Sequence, residues 1–248
     1  LQFQGQLQDA RGELELALVT READDDEIGV AVTLGNLGRL CMDLGDYLAA
    51  AQHLGRDLEI IERRSPELTR LRAQLLSHLG TCALELEQFD VAAARFHASL
   101  DVAERDGNLA GVAFARVGLA KVALRAEIRG LERAGAGAEP HLRAAERALV
   151  QGTLPTSLRA AIDAEIQLVT GRIHMGAREH AQAVAAFARA RQQHVTSHHA
   201  SPVELAALLL DYAQAQRAEG SAHAPGLLRE ALRLTDGTAA HQLRQHIE

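Results

Sequence analysis

One short pattern recurs along this chain: a glycine directly after a larger residue. Each time, it lies within a segment whose apolar residues are three or four positions apart. Gly38 and Gly80 both follow leucine and are 42 residues apart. Gly118 and Gly171 occupy the same place in two further copies of the pattern. A period of about 40 residues predicts an array of similar supersecondary units that each contact their neighbours, and not one central core.

The first copy, residues 29–62, indicates what each unit is. Val30, Leu34 and Leu37 follow the three- and four-residue spacing of an amphipathic helix, and a second such segment begins after a tight corner at 44–47. Gly38 and Ala50 lie on opposite sides of that corner, where two antiparallel helices would cross closely and only small side chains fit. The pattern predicts an αα-hairpin. Because almost no segment has strand character, we expect an all-α fold.

The repeats divide the whole chain, residues 1–248, into one solenoid. We expect about five hairpins after an N-terminal half repeat that supplies a second helix alone. The expected units are a half repeat at 1–22, hairpins at about 26–64, 66–106, 107–152, 156–197 and 201–235, and a C-terminal capping helix at 238–248. The third hairpin carries an insertion at 130–140, which lengthens the spacing of its glycine from the next one to 53 residues. Ser65 and Pro66 predict that the second hairpin begins there, as N-cap and first turn.

These residues resemble the tetratricopeptide repeat (TPR), whose pattern combines Leu-Gly on the first helix with an aromatic residue, Ala and Phe around the second. Phe89, Ala92 and Phe96 match that pattern in the second copy, and Ala183 and Phe187 match it in the fourth. The repeat length and the sequence LGNLG at 34–38 are similar to the forty-odd-residue variant of kinesin light chain, Pins-type polarity adaptors and bacterial regulator arms. The resemblance implies a right-handed α-solenoid.

The chain departs from the family at one motif position and in its composition. The first-helix Tyr of the family is replaced by Cys41, Ala83, Lys121 and His174 in successive copies, and the chain has no Trp. Aromatic residues make up only 3% of the sequence, so packing must rest on Leu, Val and Ala.

Charge and composition exclude several classes of protein. The net charge is −7, and no basic face with interleaved aromatic residues indicates a nucleic-acid partner. No apolar run approaches the length that spans a bilayer, so we expect no membrane association and a cytoplasmic protein. Lys121 is the only lysine, and the use of Arg for Lys with abundant Ala and Gly indicates a bacterial source. Cys41 and Cys82 fall within helical stripes and are interpreted as small buried apolar residues.

The sequence holds no catalytic constellation, so we expect no enzyme and no cofactor. Histidine is abundant, and His194 and His198 have the spacing that places two imidazoles on one helix face, with His199 beside them. No carboxylate or cysteine accompanies this cluster, so we predict no metal site there.

The resemblance implies that the first helix of each hairpin lines a concave groove for a peptide. Residues around the Leu-Gly pairs supply its candidate lining, polar in the first three hairpins and largely aliphatic in the last two. The predicted lining residues are Asn36, Arg39, Gln74, His78, Thr81, Arg116, Leu119, Leu168, Val169, Arg172 and Leu209. In related repeats an Asn at the Asn36 position holds a peptide backbone, and an Arg binds acidic groups.

Two alternatives concern this groove. Gln74 and His78 stand where a chaperone-type carboxylate clamp needs Lys and Asn, so we do not predict chaperone-tail binding. The C-terminal tail could also fold over the aliphatic half, including Leu210, instead of a ligand.

We therefore expect a non-catalytic scaffold that binds a protein or peptide, within a larger bacterial signalling or regulatory protein. The alternative is a ligand-sensing or autoregulatory arm of a multidomain ATPase, kinase or transcription regulator. The unpaired half repeat at the N-terminus further predicts a surface through which the chain could self-associate.

Overall fold

The computed structural model describes residues 2–131, 137–197 and 202–235. This part of the chain forms eleven α-helices and no strand, so the all-α prediction is confirmed. The helices are α1 (Gln2–Ala23), α2 (Glu27–Asp43), α3 (Tyr47–Arg64), α4 (Thr69–Glu85), α5 (Phe89–Arg105), α6 (Leu109–Ile128), α7 (Ala138–Gln151), α8 (Thr156–Gly176), α9 (His180–Ser197), α10 (Pro202–Ala218) and α11 (Ala224–Thr235). The predicted capping helix at 238–248 lies outside the described residues.

The helices pack as five hairpins in sequence order, α2–α3, α4–α5, α6–α7, α8–α9 and α10–α11. The second helix of each hairpin also packs on the first helix of the next, and α1 packs on α2. Such nearest-neighbour packing is that of an α-solenoid, in which each unit buries its apolar stripe against its neighbours. α4 and α5 begin 42 residues after α2 and α3, which is the spacing of Gly38 and Gly80.

Short polar side chains begin several of the helices. The carboxylate of Asp26 accepts a hydrogen bond from the backbone N–H of Gly29, and Asp46 caps α3 in the same way through Ala49. These side chains satisfy N–H groups that have no partner within the helix. The hairpin turn has a left-handed residue, Gly45 with φ of 77° in the first hairpin.

The predicted start of the second hairpin at Ser65 and Pro66 is wrong. Ser65 ends α3, its backbone N–H bonded to the Ile61 carbonyl, and α4 begins only at Thr69. The residue before α4 is Leu68, whose side chain provides no cap. The Ser-Pro pair therefore belongs to the connection between two hairpins and not to a helix N-terminus.

Within each regular hairpin, a glycine of the first helix receives a large side chain of the second. Leu54 lies against Gly38, Phe96 against Gly80 and Phe187 against Gly171, so closely that a Cβ at each glycine would collide with the side chain. All three large side chains are buried, at 0%, 2% and 0% exposure respectively. The sequence predicted that Ala50 would face Gly38, but the residue that fills this space is Leu54. In these three hairpins the glycine therefore makes room for a large buried side chain of the second helix.

The first helices form the inner layer of the solenoid. α4 contacts α6, α6 contacts α8, and α8 contacts α10. α10 also contacts α2, so the array curls until its last hairpin meets its first. Burial raises the pKa of Tyr47 at the start of α3, and the nearby carboxylates of Glu85 and Glu204 raise it further. Glu204 is in the first turn of α10, so its influence on Tyr47 is consistent with that meeting of the two ends.

The third hairpin is irregular. α6 has 20 residues, whereas α2 and α4 each have 17, and α7 has only 14. α7 begins at Ala138, within the segment 130–140 that was predicted as an insertion. Pro140 falls in its first turn, where a missing N–H costs no helical hydrogen bond. Residues 132–136 of the insertion lie outside the described part.

Across the described ranges, no helix has both the length and the apolar character that crossing a bilayer requires.

Candidate binding surface on the inner helices

The inner helix α2 has an exposed face. Ile28 and Val32 are 49% and 56% exposed, and Asn36 and Arg39 are exposed as well. Their spacing of three and four residues places all four on one side of the helix. This surface, which we name the α2 face, combines two aliphatic side chains with an amide and a guanidinium.

The neighbouring helix α4 adds polar groups of limited charge. Gln74 is exposed, whereas His78 is half-buried. Burial lowers the pKa of His78 to about 4, with the Arg39 guanidinium adding to the effect, so the imidazole is neutral at pH 7. The Thr81 hydroxyl donates to the Ser77 carbonyl one turn earlier in its own helix. The polar groups beside the α2 face are therefore hydrogen-bonding groups and not charges.

Arg39 also lies near a half-buried acid, Asp43. Burial raises the pKa of Asp43 at the end of α2, while the Arg39 guanidinium acts in the opposite direction. The Arg39 side chain remains exposed and is the cationic group of the α2 face.

The other two predicted arginines already have partners. Nη2 of Arg116 donates to the Glu104 carboxylate at 3.1 Å, and this bond connects α6 to the preceding helix α5. The Arg172 Nε donates to Asp211 at 2.7 Å, which ties α8 to α10. Arg116 is consequently not the free acid-binding group that its sequence position suggested.

The predicted aliphatic half of the groove is not exposed. Leu119, Leu168, Val169 and Leu209 are only 4%, 5%, 0% and 0% exposed, so their side chains are not available to a partner. They pack into the helix–helix cores, because successive inner helices from α4 to α10 contact one another and close over these positions. Leu210 is also buried by the described helices, at 7% exposure, without any contribution from the tail.

The inner layer has exposed aliphatic side chains at Ile128 of α6, which is 71% exposed, and at two α2 positions that were not predicted, Ile28 and Val32. The two α2 residues are eight and four residues before Asn36, so they lie on the same face of α2. The sequence could have indicated their exposure, because both apolar residues lie outside the stripe formed by Val30, Leu34 and Leu37.

A row of ion pairs connects the first helices of the later hairpins. Arg125 of α6 donates to both oxygens of Glu85 in α4, at 2.8 and 3.0 Å. Lys121 of α6 pairs with Glu165 of α8, and the Arg172–Asp211 pair continues the row to α10. Burial alone would raise the pKa of Glu165, but the Lys121 ammonium outweighs it and holds that pKa below its usual value.

A cavity of about 1060 Å³ opens beside this row. Residues of α6, α8 and α10 and the first turns of α7 line it, so it lies where the irregular third hairpin meets the fourth. The volume matches the upper range of small-ligand clefts in proteins, roughly 300–1,000 Å³.

The histidines show no metal-binding arrangement in the part that the structure describes. No three His, Cys, Asp or Glu side chains converge there in a way that could hold an ion. His194 is buried at 6% exposure and its pKa is lowered by burial, whereas His198 and His199 lie outside the described residues. Cys41 and Cys82 are free and buried, as interpreted from the sequence.

The fold and its inner surface place the chain in the class of helical-repeat solenoids. One solved structure that it resembles is the crystal structure of BtubC (BKLC) from P. vanneervenii. The TM-score is 0.56 with 16% sequence identity, over 93% of this chain and 91% of that chain. At this identity the likeness concerns the fold alone. The chain matches no protein-family model and no curated protein.

Proposed function

We propose that the chain is a non-catalytic scaffold that binds a peptide or protein segment along the α2 face. One observation carries this proposal: Ile28, Val32, Asn36 and Arg39 are exposed together on one side of an inner helix. Exposed aliphatic side chains beside hydrogen-bonding groups favour a partner that offers both apolar anchors and a polar backbone.

The hairpins themselves are proposed to be TPRs of the forty-odd-residue variant. The Leu-Gly pairs, the aromatic residues of the second helices and the 42-residue offset between the first two hairpins support that assignment. A bacterial source is proposed from the Arg-rich, nearly Lys-free composition. A cytoplasmic location is part of the same proposal. The partner would contribute aliphatic side chains for Ile28 and Val32 and an acidic or carbonyl oxygen for Arg39.

A photo-crosslinking amino acid placed at position 32 provides the test, because it labels only molecules that reach the α2 face. The matched control carries the same crosslinker at Val195, an exposed valine (69%) on the second helix α9. We expect a crosslinked partner from position 32 that is absent from position 195, and its loss when Asn36→Ala and Arg39→Glu are combined. Equal labelling from the two positions would show that the α2 face is not a binding site.

A second candidate function is a ligand-sensing arm of a larger regulator. The cavity of about 1060 Å³ between α6, α8 and α10 favours it, because a scaffold that uses only the α2 face has no need of an open cleft there. A full-length reading frame that encodes an ATPase, kinase or DNA-binding domain would support this candidate. A frame with none of these would remove it.

A further inference from the structure

The cavity is lined by apolar side chains and by charged side chains of both signs. Leu124, Ile173 and Met175 contribute apolar surface, and Lys121, Arg125 and Arg172 contribute cations from two adjacent inner helices. The other charged lining residues are Arg143, Glu127, Glu139 and Asp211. A cleft with an extended apolar surface and a few polar groups has the usual composition of a site for a small organic molecule.

The four cations of the lining differ in how fully they are engaged. Arg143 donates to Glu139 one turn earlier in α7, and its side chain is 60% exposed to solvent. Lys121 is paired with Glu165. The two terminal nitrogens of Arg125 donate to the Glu85 carboxylate and to the Leu84 carbonyl. Arg172 donates to Asp211 only through Nε. A guanidinium has five N–H donors, and four of them are on its two terminal nitrogens. The bond to Asp211 uses only the Nε donor of Arg172, so these four donors are left. Among the described residues, no acceptor is bonded to these nitrogens.

Asp211 also fixes the orientation of this guanidinium. A single short bond from Nε to Asp211, 2.7 Å long, holds one edge of the planar group against α10. This bond does not use the edge formed by the two terminal nitrogens. Burial lowers the pKa of Arg172, but the Asp211 carboxylate outweighs it, with smaller contributions from the Glu85 and Glu165 carboxylates, so the group remains charged. A planar edge with two parallel donors matches the two oxygens of a carboxylate.

We infer that the cavity binds a small organic carboxylate with an aliphatic or aromatic body. The carboxylate would accept from the terminal nitrogens of Arg172, and the body would lie on Leu124, Ile173 and Met175. This inference rests on the second candidate function, the ligand-sensing arm. It is independent of the α2 face, which lies in the first hairpin.

The two methionines of the chain provide a direct readout. Met175 lines the cavity, whereas Met42 packs beside the core of the first hairpin. In protein labelled with ¹³C at the methionine methyls, titration with octanoate is expected to shift the Met175 signal saturably and to leave Met42 in place. Octanamide has the same chain without the charge, and acetate has the charge without the chain. Both should bind at least about tenfold more weakly than octanoate, because each lacks one half of the recognition.

Arg172→Lys keeps the charge beside Asp211 but removes the two-nitrogen edge. We expect it to weaken octanoate binding about tenfold. The matched control is Arg191→Lys on α9, whose Nη2 donates to Glu230 at 2.8 Å away from the cavity, and it should leave the affinity unchanged.

Gln214→Trp provides a variant that leaves the core intact, because Gln214 is exposed and lines the cavity. It should obstruct octanoate in a folded protein. Val32→Glu on the α2 face should not affect octanoate, which separates this site from the scaffold function. No Met175 shift with octanoate, equal binding of octanamide, or unchanged affinity in Arg172→Lys would each overturn the inference.

Discussion

A methyl group has no room at Gly118, because the Phe96 ring of the preceding hairpin lies against this glycine. The same ring also lies against the glycine of its own hairpin, where an added Cβ would be 2.9 Å from two ring carbons. One aromatic side chain therefore fixes the distance between two inner helices.

Gly118→Ala should destabilise the protein by about 1–3 kcal/mol, because the added methyl overpacks a buried ring. The control is Gly55→Ala on α3, where a Cβ meets nothing within 4 Å. That change should be neutral or stabilise by up to about 1 kcal/mol, since alanine favours the helix. Urea denaturation measures both. If the two substitutions had the same effect, the close contact would not limit the packing.

The architecture was predictable because its determinants are local. Each helical stripe and each corner is defined by a few neighbouring residues, and Gly38 and the Leu54 side chain that it contacts belong to one hairpin. The 42-residue period then assembles the hairpins. Ser65 and Pro66 show how far local signals reach. The pair has the composition of a helix start, yet it falls in the connection between α3 and α4.

The inner surface was less predictable, because exposure there depends on curvature. Leu168 and Leu209 are at positions that would face a groove in a more open solenoid. They are buried here because neighbouring inner helices contact each other and α10 returns to α2. No short stretch of sequence specifies the angle between hairpins. The sequence places Ile28 and Val32 outside the buried stripe of α2, but it does not show whether another helix covers them.

Asp57 predicts a pH-dependent stability. This carboxyl is 3% exposed, lies against Gly35, and has one oxygen without a hydrogen-bond partner in the described part. Burial raises its pKa from 3.8 to about 6. A raised carboxyl pKa favours the folded state at low pH, and this contribution is lost as pH rises from about 4 to about 6. The loss is on the order of 3 kcal/mol for this group.

Asp57→Ser isolates this effect, because the second hairpin has Ser99 at the equivalent position, 42 residues later. The Ser99 hydroxyl is satisfied by the Ala73 carbonyl at 2.7 Å. We expect Asp57→Ser to increase the free energy of unfolding by about 1–3 kcal/mol at pH 8 and to flatten its change between pH 4 and 6. Urea denaturation at a series of pH values measures both. A wild-type protein that gains stability over this interval relative to the variant would contradict the assignment.

Lys121 is expected to be the most sensitive charged position of the inner layer. It and Glu165 are 22% and 14% exposed, and the pair connects α6 to α8. Lys121→Met should cost about 3 kcal/mol, because it leaves a buried carboxylate without its cation. Combining it with Glu165→Gln should recover much of that loss. Thermal unfolding of the two single variants and the double variant measures the coupling, and additive losses would show that the pair does not interact.

α1 supports the prediction that the chain self-associates. Leu14 and Leu18 pack it on the core of α2, but Leu16 and Val19 of the same helix remain 70% and 63% exposed. Leu16 also borders a shallow depression with Glu13 and Ala17. Adjacent exposed aliphatic residues on one helix favour contact with another apolar surface, so we expect concentration-dependent association through α1.

Sedimentation velocity over a range of concentrations measures this association. Leu16→Glu with Val19→Glu should shift the protein to the monomer, because charges on α1 oppose burial of its apolar face. The control is Leu48→Glu on α3, which changes a leucine of similar exposure, 61%, outside α1. A wild-type protein that remains monomeric at every concentration would show that α1 is not a contact surface. Dissociation by Leu48→Glu alone would place the contact on α3 instead.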